Sequence, residues 1–309
     1  MRLPDARGVA RSLTGSTAAA PAVSACSIIE LLRAGSTRCE RAGVPDARRD
    51  AAWLLAAVLG TSPARLHLDG AAPVGAEARD RFEAWCERRC RREPLQYILG
   101  TQAFRSAEVR VDPRVLIPRP ETERVVDLCL QVHEGGPIAD VGTGSGAIAI
   151  ALAAERPEEA VVATDVSAPA LALAAENARR AGAANISFGA GDLLAPLGPM
   201  LETLRLVVCN PPYVRTGDLE TLEPEVRDWE PRLALDGGPD GLSFYRRLAP
   251  EAARGLRQGA WLVLEIGAGQ RRDVEALFAA TAAFDSVAGV ADYRGIDRGV
   301  AFRRAPIRG

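Results

Sequence analysis

Lysine is absent from this chain, so all 38 basic residues are arginine. With alanine also abundant, this is a compositional bias and carries no mechanism. Histidine is scarce: only His67 and His133 are present. Cysteine occurs six times but never as Cys-x-x-Cys. Cys86 and Cys90, four apart on an expected helix, could supply half a metal site, and two distant histidines do not complete it. The expectation is therefore no metal and no disulfide framework, as in a reducing cytosol. No run reaches the roughly 20 apolar residues of a membrane span, and residues 1–24 hold no apolar core of signal-peptide length. A cytoplasmic location is expected. Nor is there a large excess of one charge: 38 basic against 40 acidic residues give a formal net charge of −2, which argues against a surface built mainly to grip phosphates.

The chain does have room for a core. Its 309 residues, 48% hydrophobic and 25% charged, suit a globular protein of one large or two ordinary domains. Residues 1–113 carry 17 Arg against 13 acids and the remainder 21 against 27, a mild asymmetry that reads as solvated surface. From Ser27 to Leu99 apolar residues recur at helical spacing, broken by Gly43-Val44-Pro45-Asp46 and Thr61-Ser62-Pro63. A third helix is expected over Ala76–Arg92. Its final arginines, Arg88, Arg89, Arg91 and Arg92, read as cations favourable at a helix C-terminus. Gln102–Asp112 alternates as a short hairpin.

Beyond Pro113 strands alternate with helices. The expected strands are 138–141, 160–164, 186–190, 204–209, 261–266, 286–290 and 299–303, and the helices between them include 147–155 and 168–181. That alternation implies right-handed crossovers and a mostly parallel sheet. The domains follow: a disordered tail over 1–25, a helical domain over 26–100, a hairpin linker over 101–114 and an α/β domain over 115–309.

Two motifs carry chemistry. Asp140-Val141-Gly142-Thr143-Gly144-Ser145-Gly146 joins a strand to an alanine-rich helix, where glycines let the backbone approach a ligand and the helix N-terminus presents free N–H groups. Taken alone this loop fits either a methyltransferase or a dinucleotide fold. Asp165 ends the next strand, where a carboxylate can accept from ribose hydroxyls, and Asp192-Leu193 after the third strand could meet an adenine. The second motif, Asn210-Pro211-Pro212-Tyr213, follows the apolar run Leu206-Val207-Val208-Cys209. An amide nitrogen is a poor nucleophile because its lone pair is delocalised into the carbonyl. The Asn210 side-chain oxygen and the Pro211 carbonyl can both accept from such an N–H₂ group, the prolines stiffen the loop, and the Tyr213 ring can lie against a planar acceptor. Together with the glycine loop, the motif points to an amino-group methyltransferase using S-adenosylmethionine.

From about Ser27 to Arg304 the chain resembles the HemK/PrmC family of peptide chain release factor glutamine N5-methyltransferases. The resemblance rests on Glu93-Pro94-Leu95-Gln96-Tyr97-Ile98-Leu99-Gly100, Leu116-Ile117-Pro118-Arg119-Pro120-Glu121-Thr122-Glu123, the glycine loop, Asn210 to Tyr213, Glu230-Pro231-Arg232-Leu233-Ala234-Leu235, Leu264-Glu265-Ile266-Gly267 and Asp292-Tyr293-Arg294-Gly295. It implies an α/β fold: a Rossmann-like class I S-adenosylmethionine-dependent methyltransferase domain with a seven-stranded, mostly parallel sheet, behind a small helical domain that docks the protein substrate. It further implies that Gly142, Thr143, Gly144, Ser145, Gly146, Asp165, Asp192, Leu193 and Asn210 bind S-adenosylmethionine. Asn210, Pro211, Pro212 and Tyr213 would receive the glutamine, and Pro118 to Glu123 would cover the cofactor. Family members often have an aromatic residue at the Leu193 position. The implied partner is a class I release factor, methylated at the glutamine of its Gly-Gly-Gln tripeptide, with no direct nucleic-acid or membrane partner. A glutamine methyltransferase of a large-subunit ribosomal protein, an exocyclic-amine methyltransferase of DNA or ribosomal RNA, and a catalytically silent cofactor-binding adaptor remain as alternatives. The sequence does not set the oligomeric state, a monomer being the default.

Overall fold

The computed structural model describes residues 26–306, and the expected tail over 1–25 lies outside them. A short bridge between β1 (Cys26–Ser27) and β2 (Pro73–Val74) ties together a helical bundle of α1 (Ile28–Arg41), α2 (Ala47–Leu59), α3 (Pro63–Leu68), α4 (Ala76–Cys90) and α5 (Leu95–Leu99). Local chemistry sets the boundaries. Ser27 and Glu30 form a reciprocal capping box at the start of α1, while α2 and α5 each end on a glycine in left-handed conformation, Gly60 and Gly100. The bundle buries a core of its own around Leu31, Leu54, Leu55, Leu66 and Phe82.

The hairpin of β3 (Thr101–Phe104) and β4 (Ala107–Arg110) is no free linker. Phe104 and Val109 are buried in the core of the following domain. The Asn177 side chain accepts from the Arg110 N–H at 2.8 Å and donates to the Arg110 carbonyl at 3.0 Å, so it pairs with this strand as a neighbouring strand would.

Then follow α6 (Thr122–Val132), β5 (Ile138–Val141), α7 (Ala147–Glu155), β6 (Val161–Asp165), α8 (Ala168–Ala181), β7 (Ile186–Ala190), β8 (Leu206–Cys209), α9 (Pro224–Arg227), α10 (Ser243–Gly255), β9 (Trp261–Glu265), α11 (Arg271–Ala279), β10 (Phe284–Ala291) and β11 (Asp297–Arg304). The seven-stranded sheet has the order β10-β11-β9-β8-β5-β6-β7, and β11 runs antiparallel to both of its neighbours. The expected α/β fold with its mostly parallel sheet is the fold observed. The strands expected over 138–141 and 186–190 have those bounds, and the ends of the others differ by up to two residues; the C-terminal hairpin is longer, because pairing between β10 and β11 extends past the apolar stretch that marked each strand. Central strands β5, β8 and β9 are buried along their whole length, as parallel strands covered on both faces must be. One face packs under α6, α7 and α8, the other under α10 and α11. Strand order reverses between β5 and β8, and their C-terminal ends open there into a crevice, the usual ligand position in such sheets.

Candidate active site

A cavity of about 310 Å³ occupies that crevice, at the lower end of the range for small-molecule sites. The glycine loop forms its floor. Gly142, Gly144 and Gly146 all have positive φ, between 56° and 82°, which gives the loop its tight turns. A Cβ built on Gly144 would meet no atom within 4 Å, so the backbone there faces open space that a ligand can enter. Asp140, fully buried beneath the loop, accepts from the Thr143 hydroxyl at 2.6 Å and the Ala149 N–H at 3.1 Å, while its other oxygen has no partner among the described residues. Burial pushes its carboxyl up to about 7.

Asp165, at the end of β6, accepts the Gly144 N–H at 2.9 Å and the Ser167 N–H at 2.8 Å. These bonds hold the carboxylate on the cavity wall beside the loop. Leu193 is buried with φ 48°, a strained backbone for a branched residue, and lines the cavity together with Asp192. The Asp192 carboxylate pairs with Arg247 of α10, so an adenine amino group would share this acceptor with the guanidinium.

Asn210, Pro211 and Pro212 form the wall where β8 ends. The Asn210 side-chain N–H₂ donates to Thr122 Oγ1 at 3.3 Å, and the Thr122 hydroxyl donates to Glu265 Oε2 at 2.7 Å. Tyr213 donates from its hydroxyl to Glu265 Oε1 at 3.3 Å. Glu265 is 2% exposed at the end of β9, and burial raises its carboxyl to about 7 against the lowering effect of these two hydroxyls.

Two segments cover the cavity. Arg114 to Leu116 and Pro118 come from the stretch before α6, and Pro231, Leu233, Ala234 and Asp236 from the loop after β8. Arg119 joins them, donating to both oxygens of Glu230 at 2.7 and 2.9 Å. The same loop reaches the helical bundle through Glu225, which takes hydrogen bonds from Arg89 at 2.8 Å and Arg92 at 2.7 Å. Arg89, 5% exposed, also donates to Asp50 at 2.9 Å.

Residues 30–100 match the family model described as the PrmC N-terminal domain and residues 123–225 the one described as the methyltransferase small domain. The release factor glutamine methyltransferase of Geobacter sulfurreducens is 44% identical over 262 residues, covering 84% of this chain and 91% of that protein. That of Moorella thermoacetica is 45% identical over 273 residues, covering 86% and 95%. The chain belongs to the release factor glutamine methyltransferase family. It is an S-adenosylmethionine-dependent methyltransferase of class I fold. The crystal structure of a methyltransferase from Pyrococcus furiosus shares the fold, with a TM-score of 0.51 at 17% identity over 71% of this chain and 99% of that one.

For a release factor glutamine methyltransferase, the cavity has the parts that S-adenosylmethionine requires: an open glycine floor, a carboxylate beside it and an apolar wall from Val141, Ile148 and Leu193. Gly142, Thr143, Gly144, Ser145, Asp165, Asp192, Leu193, Asn210, Pro211 and Pro212 are brought together around it. Two expected residues are placed differently. Gly146 lies behind the loop, where a Cβ would meet Ala174 Cβ at 3.2 Å, so its part is to let α7 approach α8. Tyr213 turns its ring against the core under α10 and its hydroxyl to Glu265, buried at the end of β9. Tyr213 is not among the described residues that line the cavity. The arginines closing α4 also need a revised account, since Arg89 and Arg92 grip Glu225 from another part of the chain. Glu265 had no role assigned from the sequence, and Thr122 only a place within Pro118 to Glu123, the segment expected to cover the cofactor. The available signal was a carboxylate within the otherwise apolar strand Trp261-Leu262-Val263-Leu264-Glu265, which must find buried partners.

Proposed function

We propose that this chain transfers a methyl group from S-adenosylmethionine to the side-chain nitrogen of the glutamine in the Gly-Gly-Gln tripeptide of class I release factors, in the cytoplasm. The observation that carries the reading is the placement of Asn210-Pro211-Pro212 on the same cavity as the glycine loop and Asp165, in a chain of this family. When bound, S-adenosylmethionine supplies an electrophilic methyl group on a sulfonium. Gly142 to Ser145 and Asp165 would hold it, with Asp192 and Leu193 toward its adenine. The Asn210 side-chain oxygen and the Pro211 carbonyl would accept both N–H bonds of the glutamine amide, fixing its plane and stabilising positive charge as it develops on nitrogen. Among the described residues lining the cavity there is no histidine to act as base. Proton loss can follow transfer, when the nitrogen is strongly acidic, and water can accept the proton.

The test is incubation with labelled S-adenosylmethionine and, in parallel, purified release factor, ribosomal subunits and DNA. Label at the Gly-Gly-Gln glutamine is expected. Label on ribosomal protein or nucleic acid alone would overturn the reading.

A further inference from the structure

We propose that Thr122 and Glu265 are positioning residues that decide which end of the Asn210 amide faces the acceptor. The inference rests on the function proposed above and extends it to Thr122, on the cavity wall, and to Glu265 behind it.

An asparagine amide has a donor end and an acceptor end of almost equal size, and only hydrogen bonding distinguishes its two orientations. Thr122 has a single hydroxyl proton. Its oxygen lies 2.7 Å from Glu265 Oε2; above the pH of about 7 to which burial raises this carboxyl, the ionised group can only accept, so the Thr122 proton is committed there. The remaining capacity of Thr122 Oγ1 is acceptance. Its neighbour at 3.3 Å on Asn210 must then be the N–H₂ end, since the reversed amide would set two lone-pair-bearing oxygens against each other. The Asn210 oxygen is thereby the end left to accept from a ligand in the cavity, as an incoming N–H₂ group requires.

Three elements contribute: Thr122 opens α6, Asn210 follows β8 and Glu265 ends β9. Thr122 and Glu265 are 3% and 2% exposed, so water does not compete for these bonds and the chain of donors is strengthened. The Tyr213 hydroxyl occupies the second Glu265 oxygen, and Tyr245 donates to the Glu265 carbonyl at 2.8 Å. The carboxylate is held from both sides. Without the Thr122 hydroxyl the amide is free to turn its N–H₂ toward the acceptor, where donor would face donor.

The experiment compares Thr122→Val, Thr122→Ser and Glu265→Leu with the wild-type chain on release factor, measuring kcat, KM, cofactor affinity by calorimetry and thermal melting. Thr122→Val keeps the shape and is expected to lower kcat by about ten-fold or more. Its cofactor affinity should stay within about two-fold, and Thr122→Ser should bring kcat back to within about three-fold of wild type. Glu265→Leu frees the Thr122 proton to donate to Asn210, so kcat should fall likewise, in a protein relieved of a buried carboxylate and melting no lower than wild type. Thr122→Val turning over within about three-fold of wild type, or Thr122→Ser as impaired as Thr122→Val, would overturn the proposal. If either larger variant failed to fold, the other decides by the same criterion: normal kcat in a folded Glu265→Leu protein is equally fatal. Were the wild-type chain to label ribosomal subunits or DNA instead, the substrate assignment would fall, while the same variants assayed on that acceptor would still decide the positioning.

Discussion

Asn210 lines the cavity with one end of its amide tied to Thr122. Replacing it with alanine removes the acceptor but no part of the glycine loop or Asp165. Asn210→Ala is expected to lower kcat/KM by about 10²-fold or more, with S-adenosylmethionine binding nearly unchanged by calorimetry; near-normal turnover would contradict the amide-holding role. Two buried carboxyls set a pH dependence of stability. Asp140 and Glu265 are both raised by burial to about 7, so the folded state holds these protons more tightly than the unfolded chain does. Their contribution is fully present below the ordinary carboxylate range and is lost as pH rises through about 7. The melting temperature should therefore fall between about pH 5 and about pH 8, and Glu265→Gln, which removes one of the two titrations, should make the fall shallower. An unchanged slope in that variant would show that Glu265 does not titrate in this window.

The loop between β8 and α10 acts as an element although little of it is regular. Glu225 anchors it to Arg89 and Arg92 of the bundle, Glu230 to Arg119, and Pro231 to Ala234 reach the cavity. Glu225→Ala leaves Arg89 with Asp50 and the Glu93 carbonyl and is expected to cost about 1.5–3 kcal/mol of stability, the usual worth of hydrogen bonds to charged groups. It should raise KM for a protein substrate more than it lowers cofactor affinity, which steady-state kinetics and calorimetry together would reveal. Equal effects on both would mean that the loop serves the cofactor alone. The arginines were visible in the sequence as a cluster closing a helix, but their acceptor lies 133 to 136 residues away, and no local pattern announces such a partner. The glycine loop is the opposite case. The need for a tight turn from strand to helix is local, so its position was legible, although the role of Gly146 required knowing that Ala174 lies behind it. Gly146→Ala is expected to destabilise by about 1–3 kcal/mol, from left-handed backbone and overpacking together, as read by chemical denaturation.

At the scale of the whole molecule, the three largest buried clusters among the described residues divide the work: one inside the helical bundle and one on each face of the sheet. Among the described residues no helix is long and apolar enough to cross a membrane. The cavity lies where segments from α6, β5, β6, β8 and α10 meet, so a ligand filling it joins elements that unfolding would separate. S-adenosylmethionine at 100 times its dissociation constant should add about 2.7 kcal/mol to the stability of the domain, seen as an upward shift in thermal melting. No shift at saturating cofactor would contradict the assigned pocket.

The sequence by itself determined the alternation of strands and helices, the split between helical and α/β parts, the glycine turn and the Asn-Pro-Pro loop. These follow from periodicity, backbone freedom and short-range chemistry, which residues carry wherever they lie. Only the tertiary structure decided that Tyr213 turns inward, that the hairpin docks on α8 through Asn177, that Arg89 at the end of α4 and Arg92 just beyond it hold a loop far along the chain, and that Thr122 stands between Asn210 and Glu265. Each of these depends on which buried polar group comes within about 3 Å of another. That distance is set by how elements 52 to 143 residues apart in the chain pack against one another, and not by any feature of either stretch alone.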